Sequence, residues 1–201
     1  MIALVDYGMG NLRSVEKALL RVGGKVRVIQ KPEELNDADR LVLPGVGAFG
    51  DCLYHLRKQN LIEPLKQWIQ KGKPFLGICL GYQALFEWSE EGANVEGLGI
   101  FKGGVVRFPE CGLKIPQIGW NQIQIQKSAC PFLRGISDGS YVYFVHSYFP
   151  KPLDASFIST RTDYGISFAS MIWKENIFAC QFHPEKSQKI GLKMLENFVG
   201  L

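Results

Sequence analysis

Apolar positions in the first half of the chain follow two alternating rhythms. Short runs of strand length occur at Ile2-Ala3-Leu4-Val5, Leu41-Val42-Leu43 and Phe75-Leu76-Gly77-Ile78, with Val26-Arg27-Val28-Ile29 a further strand-sized stretch. Runs without polar alternation mark strands buried on both faces. Between them, apolar residues recur at helical spacing: Leu12, Val15, Leu19 and Val22; then Leu53 and Leu56; then Leu61, Leu65, Trp68 and Ile69. Asn11 is a natural N-cap for the first of these helices and Asn60 for the third. Gly23-Gly24 closes the first, and Gly72 with Pro74 stops the third. From Leu80 onward, Ala84, Leu85 and Trp88 again fall at helical spacing, which predicts a helix directly after the strand Phe75–Ile78. Strands alternating with helices predict a parallel sheet covered on both faces.

Beyond Gly97 the rhythm changes to period 2. Val105 to Phe108, Ile118 to Gln126, Tyr141 to Val145, Ser156 to Thr160, Ser167 to Trp173 and Asn176 to Phe182 read as strands, and no long helical pattern interrupts them. A last helix carries Ile190, Met194, Leu195 and Phe198 on one face. The expected fold is α/β: an open, mostly parallel sheet with flanking helices, plus added antiparallel strands in the second half. A length of 201 residues is enough for one domain with a full core, expected to span 1–201.

Composition narrows the function classes. Hydrophobic content of 46% and charged content of 21% are ordinary for a globular protein. The apolar runs are too short to span a membrane, and Met1 to Asp6 does not read as a signal peptide. The net charge of +4 comes from dispersed Lys and Arg, without the basic stripe that nucleic-acid binding requires. Five cysteines, Cys52, Cys79, Cys111, Cys130 and Cys180, are scattered with no C-x-x-C pair. An odd, dispersed set argues against a disulfide framework or a zinc site and fits a reducing cytoplasm. No metal and no cofactor are expected.

The chemistry concentrates where strands end. Gly77-Ile78-Cys79-Leu80-Gly81 is G-x-C-x-G, the cysteine form of the nucleophile elbow. A sharp strand-to-helix turn strains the nucleophile's backbone, and flanking side chains would clash, hence the two glycines. A sulfur at a helix start also favours the thiolate. Pro44-Gly45-Val46-Gly47-Ala48-Phe49-Gly50 follows the strand before it and leaves backbone N–H groups unobstructed, as a tetrahedral oxyanion requires. Of three histidines, His55 lies in a helical pattern and His146 ends a strand without an acid close behind. His183 follows the last strand in His183-Pro184-Glu185, where the carboxylate can orient the imidazole. The three pieces together read as acyl transfer through a cysteine thioester. Gly8-Met9-Gly10 lacks the third glycine of a dinucleotide fingerprint and reads as a tight turn.

Gly77 to Gln83 and His183-Pro184-Glu185 resemble the class I, triad-type glutamine amidotransferases. Asp6-Tyr7-Gly8-Met9-Gly10-Asn11-Leu12, Pro44 to Phe49, Gly119-Trp120-Asn121, His146-Ser147-Tyr148 and His183 to Ser187 narrow the resemblance to glutaminase subunits of imidazole glycerol phosphate synthases, of histidine biosynthesis. The likeness runs essentially from end to end. It implies that Cys79 attacks the glutamine side-chain amide, that His183 moves the proton and that Glu185 orients His183. It implies an oxyanion hole from Gly45, Val46, Gly47 and the Leu80 N–H. It implies substrate contacts from Gln83, from Glu91 to the α-ammonium, and from the backbone around His146, Ser147 and Tyr148 to the α-carboxylate. From the residues alone, Glu91, like Glu87 and Glu90, reads as a solvated helix end.

The resemblance further implies a heterodimer with a cyclase subunit of β/α-barrel type. Ammonia would pass to that partner, and Asn11, Trp120, Tyr143 and Lys186 would lie near the shared surface. Gln117 stands where the family commonly has histidine. The rival readings are an ammonia-using paralogue, such as a sugar-amidination system, and a stand-alone γ-glutamyl cysteine hydrolase. An amidotransferase subunit of anthranilate or pyridoxal phosphate synthesis would carry different loops at Asp6-Tyr7-Gly8 and Pro44-Gly45-Val46-Gly47, and the complete Cys79, His183 and Glu185 speak against a binding module that has kept the fold.

Overall fold

The computed structural model describes residues 1–92, 95–110 and 112–201. The chain begins with β1 (Ile2–Val5), α1 (Leu12–Arg21), β2 (Val26–Ile29), β3 (Arg40–Leu43), α2 (Phe49–Lys58), α3 (Ile62–Gln70) and β4 (Phe75–Ile78). A single turn, α4 (Leu80–Gln83), leads into β5 (Phe86–Ser89), β6 (Val95–Glu96), β7 (Phe101–Arg107), β8 (Gln117–Gln122) and β9 (Gln124–Ile125). Then come β10 (Tyr141–His146), β11 (Tyr148–Pro152), β12 (Ile158–Asp163), β13 (Ser167–Lys174), β14 (Ile177–Cys180) and α5 (Gln188–Val199).

The main sheet has eight strands in the order β2-β1-β3-β4-β14-β13-β12-β9. From β2 to β14 every pair is parallel; from β14 to β9 every pair is antiparallel. This is the expected mixed sheet, with the second half of the chain supplying the antiparallel strands. Every side chain of β1, β4 and β14 is buried, as continuous apolar runs require. Two apolar cores cover its faces. One gathers Leu53, Leu65 and Trp68 under α2 and α3, and the other Val15, Leu19, Met194 and Phe198 under α1 and α5. A four-stranded sheet, β11-β7-β5-β6, and the antiparallel pair β10-β8 complete the strands.

Two local expectations fail for physical reasons. The helix after Cys79 ends at Gln83, because Phe86 and Trp88 also satisfy a period of two and β5 pairs with β7. Non-local pairing overrides the short helical pattern there. Asn60 does not cap α3; it sits at φ +57° and closes the turn after α2, while Leu61 takes the N-cap position without a side-chain bond. Asn11 does cap α1, its side chain accepting from the Ser14 N–H. Cys52, Cys79, Cys130 and Cys180 are free, and Cys111 lies outside the described residues. No helix among the described residues is long and apolar enough to cross a membrane.

Candidate active site

Three adjacent parallel strands, β3, β4 and β14, deliver the three chemical pieces to one edge of the sheet. Open α/β sheets bind ligands at the carboxyl ends of their strands, and here the Pro44 loop, Cys79 and His183 all emerge there. Cys79 adopts φ +54°, ψ −103°, a backbone region that side chains other than glycine rarely occupy. The flanking glycines are obligatory. A Cβ on Gly77 would lie 2.7 Å from the Gly81 carbonyl, and one on Gly81 would overlap the Leu43 carbonyl of the neighbouring strand. The turn is pinned by the Cys79 N–H donating to the Cys180 carbonyl at 2.8 Å. With only one helical turn behind it, α4 gives the sulfur less dipole than the expected longer helix.

The His183 ring is buried, 2% exposed, and its Nδ1 lies 2.7 Å from Glu185 Oε1. The Glu185 side chain is buried with it. Burial opposes a charge on the ring, yet the Cys79 sulfur and the Glu185 carboxylate outweigh burial and raise its pKa to about 10. Among the described residues Nε2 has no hydrogen-bond partner, and no bond of ordinary geometry joins it to the sulfur that acts on it. The loop is fixed from both sides: the His183 N–H donates to the Tyr143 carbonyl at 2.9 Å, and the Ser187 hydroxyl donates to the His183 carbonyl at 2.6 Å. Cys180 is fully buried, and burial together with Glu185 and Cys79 holds its thiol well above the usual range. Cys79 opens on a cavity.

That cavity, of about 420 Å³, is lined by Val46, Gly47, Cys79, Leu80, Gln83, Glu91, His146, Ser147, Tyr148 and Lys186, among others. The sequence-predicted substrate residues therefore meet around the sulfur. Glu91 is not a solvated helix end; its Oε2 accepts the Phe49 N–H at 2.9 Å at the start of α2. Gln83 is buried and donates from Nε2 to the Tyr148 carbonyl at 2.9 Å and to Gln181 Oε1 at 3.1 Å. His146 is buried between the Tyr148 carbonyl, 2.8 Å from Nδ1, and the Gln117 side chain, 2.9 Å from Nε2. Burial lowers its pKa to about 3 despite the Tyr148 bond, so it is neutral at pH 7. Gly45 is not in the cavity wall. Its carbonyl accepts the Leu80 N–H at 3.3 Å, while the Tyr7 hydroxyl donates to the Pro44 carbonyl at 3.0 Å.

Of the residues expected at a partner surface, Lys186 lines the cavity itself. Trp120 is 45% exposed and meets the Tyr143 ring edge-on, and the Lys186 ammonium stands over Tyr143 at 5.7 Å. Asn11 is exposed at the start of α1, which packs on the turn Pro184–Lys186. Gln181 was not among the predicted residues, though its Nε2 lies 3.5 Å from the Cys79 sulfur. The one signal in the sequence was a lone amide inside the apolar run Ile177 to Phe182. Among the described residues no cluster of His, Cys, Asp and Glu is arranged to hold a metal ion.

An elbow cysteine beside a buried His–Glu pair, on three parallel strand ends, is the arrangement expected of a cysteine-dependent amidohydrolase of α/β type. The class-I glutamine amidotransferase family matches residues 3–200, and the chain belongs to that family. It is 52% identical over 98% of its length to imidazole glycerol phosphate synthase subunit HisH of Syntrophotalea carbinolica, covering 98% of that protein. It is 54% identical to the subunit of the same name from Caldanaerobacter subterraneus, over 98% of this chain and 97% of that one. The fold is shared with PurLQS from Thermotoga maritima, at a TM-score of 0.80 and 19% identity over 99% of this chain and 97% of that chain.

Proposed function

We propose that Cys79, His183 and Glu185 hydrolyse glutamine in the cavity at the end of β4, releasing ammonia for use by a second subunit. The chain works as the glutaminase subunit of imidazole glycerol phosphate synthase, in histidine biosynthesis, a function that rests on its near full-length relatives. The observation carrying the residue assignment is the strained Cys79 set against the buried His183–Glu185 pair.

The geometry supports the following sequence. The Cys79 sulfur attacks the side-chain carbonyl carbon of glutamine, and the carbonyl electrons move to oxygen. The protonated His183 ring, held in that state by the sulfur and Glu185, gives its Nε2 proton to the amide nitrogen. The C–N bond breaks, ammonia leaves and a γ-glutamyl thioester remains. His183 then takes a proton from water as it adds to the thioester, and glutamate leaves with the sulfur restored. Glu185 holds the ring's Nδ1 proton throughout, which fixes Nε2 toward the reaction. Glu91 lies in the wall where it can meet the α-ammonium, and the backbone of His146, Ser147 and Tyr148 where it can meet the α-carboxylate.

The oxyanion hole would draw on the Leu80 N–H with the N–H groups of Val46 and Gly47. In the present conformation the Gly45 carbonyl occupies the Leu80 N–H. The hole therefore completes only when the Gly45-Val46 peptide turns away, which gives a bound partner a means of control. Trp120, Tyr143 and Lys186, with Asn11 on α1, would form the docking surface for the cyclase subunit and the exit for ammonia. Glutamate release should be measured for the chain alone, with the cyclase subunit, and with cyclase plus its ribonucleotide ligand, against Cys79→Ala. Strong stimulation only in the loaded complex is expected. Full activity of the lone chain would instead indicate an independent hydrolase, and activity in Cys79→Ala would remove the assigned nucleophile.

A further inference from the structure

The nucleophile has a hydrogen-bond partner outside the triad. Gln181 is fully buried, and its Nε2 lies 3.5 Å from Cys79 Sγ. A buried primary amide is costly unless its groups are paired, so its orientation carries information. That orientation can be traced bond by bond. The Tyr148 carbonyl can only accept, and it receives Gln83 Nε2 at 2.9 Å and His146 Nδ1 at 2.8 Å. The Gln83 nitrogen also donates to Gln181 Oε1 at 3.1 Å. Gln181 is left with its oxygen turned to Gln83 and its nitrogen turned to the sulfur. A main-chain carbonyl thus sets the polarity of an amide two links away.

We propose that Gln181 is a dedicated hydrogen-bond donor to the Cys79 sulfur, selecting the thiolate over the thiol. A thiolate is a strong acceptor and a thiol a weak one, so an N–H fixed toward sulfur favours ionisation. Gln181 neither gains nor loses a proton; it biases transfer from Sγ to His183. The assignment rests on Cys79 being the nucleophile. The ionisable groups that act on the sulfur or share its cavity are His183 with Glu185 behind it, Tyr7, Cys180, Glu91 and Lys186. All of them stay in place in the variants below, and none donates a hydrogen bond of ordinary geometry to Sγ among the described residues.

The test uses the full chain and the pH dependence of Cys79 alkylation by iodoacetamide, with Cys79→Ala supplying the background from other thiols. Gln181→Met fills a similar volume without a donor, and Gln181→Glu keeps the shape but offers only acceptors when ionised. The alkylation midpoint should rise by about one pH unit in Gln181→Met, roughly a tenfold loss of thiolate below the midpoint, and further in Gln181→Glu. Turnover should fall with it, while KM for glutamine moves less. A folded variant with an unchanged midpoint would overturn the proposal. A second readout needs no variant at Gln181: in the native chain, its side-chain amide resonances should titrate together with Cys79 and cease to do so in Cys79→Ala. Resonances indifferent to Cys79 would also overturn it. Hydrolysis surviving in Cys79→Ala would refute the nucleophile itself, a result distinguishable from an unmoved midpoint.

Discussion

His183 and His146 stand close enough to influence each other, both buried, yet their chemistry is opposite. His183 faces a carboxylate and a sulfur, and its pKa rises to about 10; His146 faces a backbone carbonyl and an amide, and its pKa falls to about 3. Burial disfavours the charged ring in both cases. What differs is whether an anion is there to compensate. Neighbouring anions keep a buried histidine protonated and able to give a proton; without them the ring is a neutral strut. The Tyr148 carbonyl faces Nδ1 and Gln117 Oε1 faces Nε2, both acceptors; a neutral ring donates from only one nitrogen, so with Nδ1–H on Tyr148 the Gln117 amide has to turn its NH₂ toward Nε2.

The comparison breaks most visibly at His183. His183→Gln should lower glutamine hydrolysis by roughly 10⁵-fold with the fold retained, as removal of a triad base does, measured as glutamate release in the activated complex. Glu185→Gln comes next, at roughly 10³- to 10⁴-fold, because the ring loses its orienting anion and the tautomer can reverse. The same variant should lower the ring's pKa, which proton titration by NMR would read; an unmoved value would mean the sulfur alone sets it.

Stability separates the pair by sign. His146 is depressed when folded, so its contribution is intact above about 6.5 and is lost as pH falls toward 3, a few kcal/mol in order of magnitude. His183 is raised when folded, so its contribution is intact below about 6.5 and is lost as pH rises toward 10. Urea midpoints across pH should show His146→Gln flattening the acid limb and His183→Gln the alkaline limb. Equal effects on both limbs would show that the two environments do not differ as described. The smallest effect belongs to Gln117→Leu, which strands the His146 Nε2 and should cost about 1–3 kcal/mol of stability while leaving the Cys79 chemistry largely intact.

Much of the candidate site's layout was legible because its pieces are local. The elbow, the Pro44 loop and His183-Pro184-Glu185 are each a few consecutive residues, and their meeting needs only three neighbouring parallel strands. Gln181 was not legible, because its value depends on β14 lying beside β4 and on the route from Tyr148 through Gln83. Glu91 read as solvated from its polar neighbours, but its carboxylate is drawn to the start of α2, a contact across 42 positions of chain. The helix expected after Cys79 failed because Phe86 and Trp88 satisfy two periods at once, and only pairing with β7 decides between them. The parallel half of the fold read correctly from buried apolar runs, which have no such second solution.

The positive φ at Cys79 also bears on how such a chain would age. A cysteine held in that conformation costs on the order of 1–3 kcal/mol relative to a residue without a Cβ. A copy released from its duty would gain stability by drifting to glycine at position 79, one of the few single changes that relieves the turn without disturbing Gly77 or Gly81. A lineage that keeps sulfur at this corner is therefore working against a standing mutational incentive, and the strained backbone serves as a ledger of continued use.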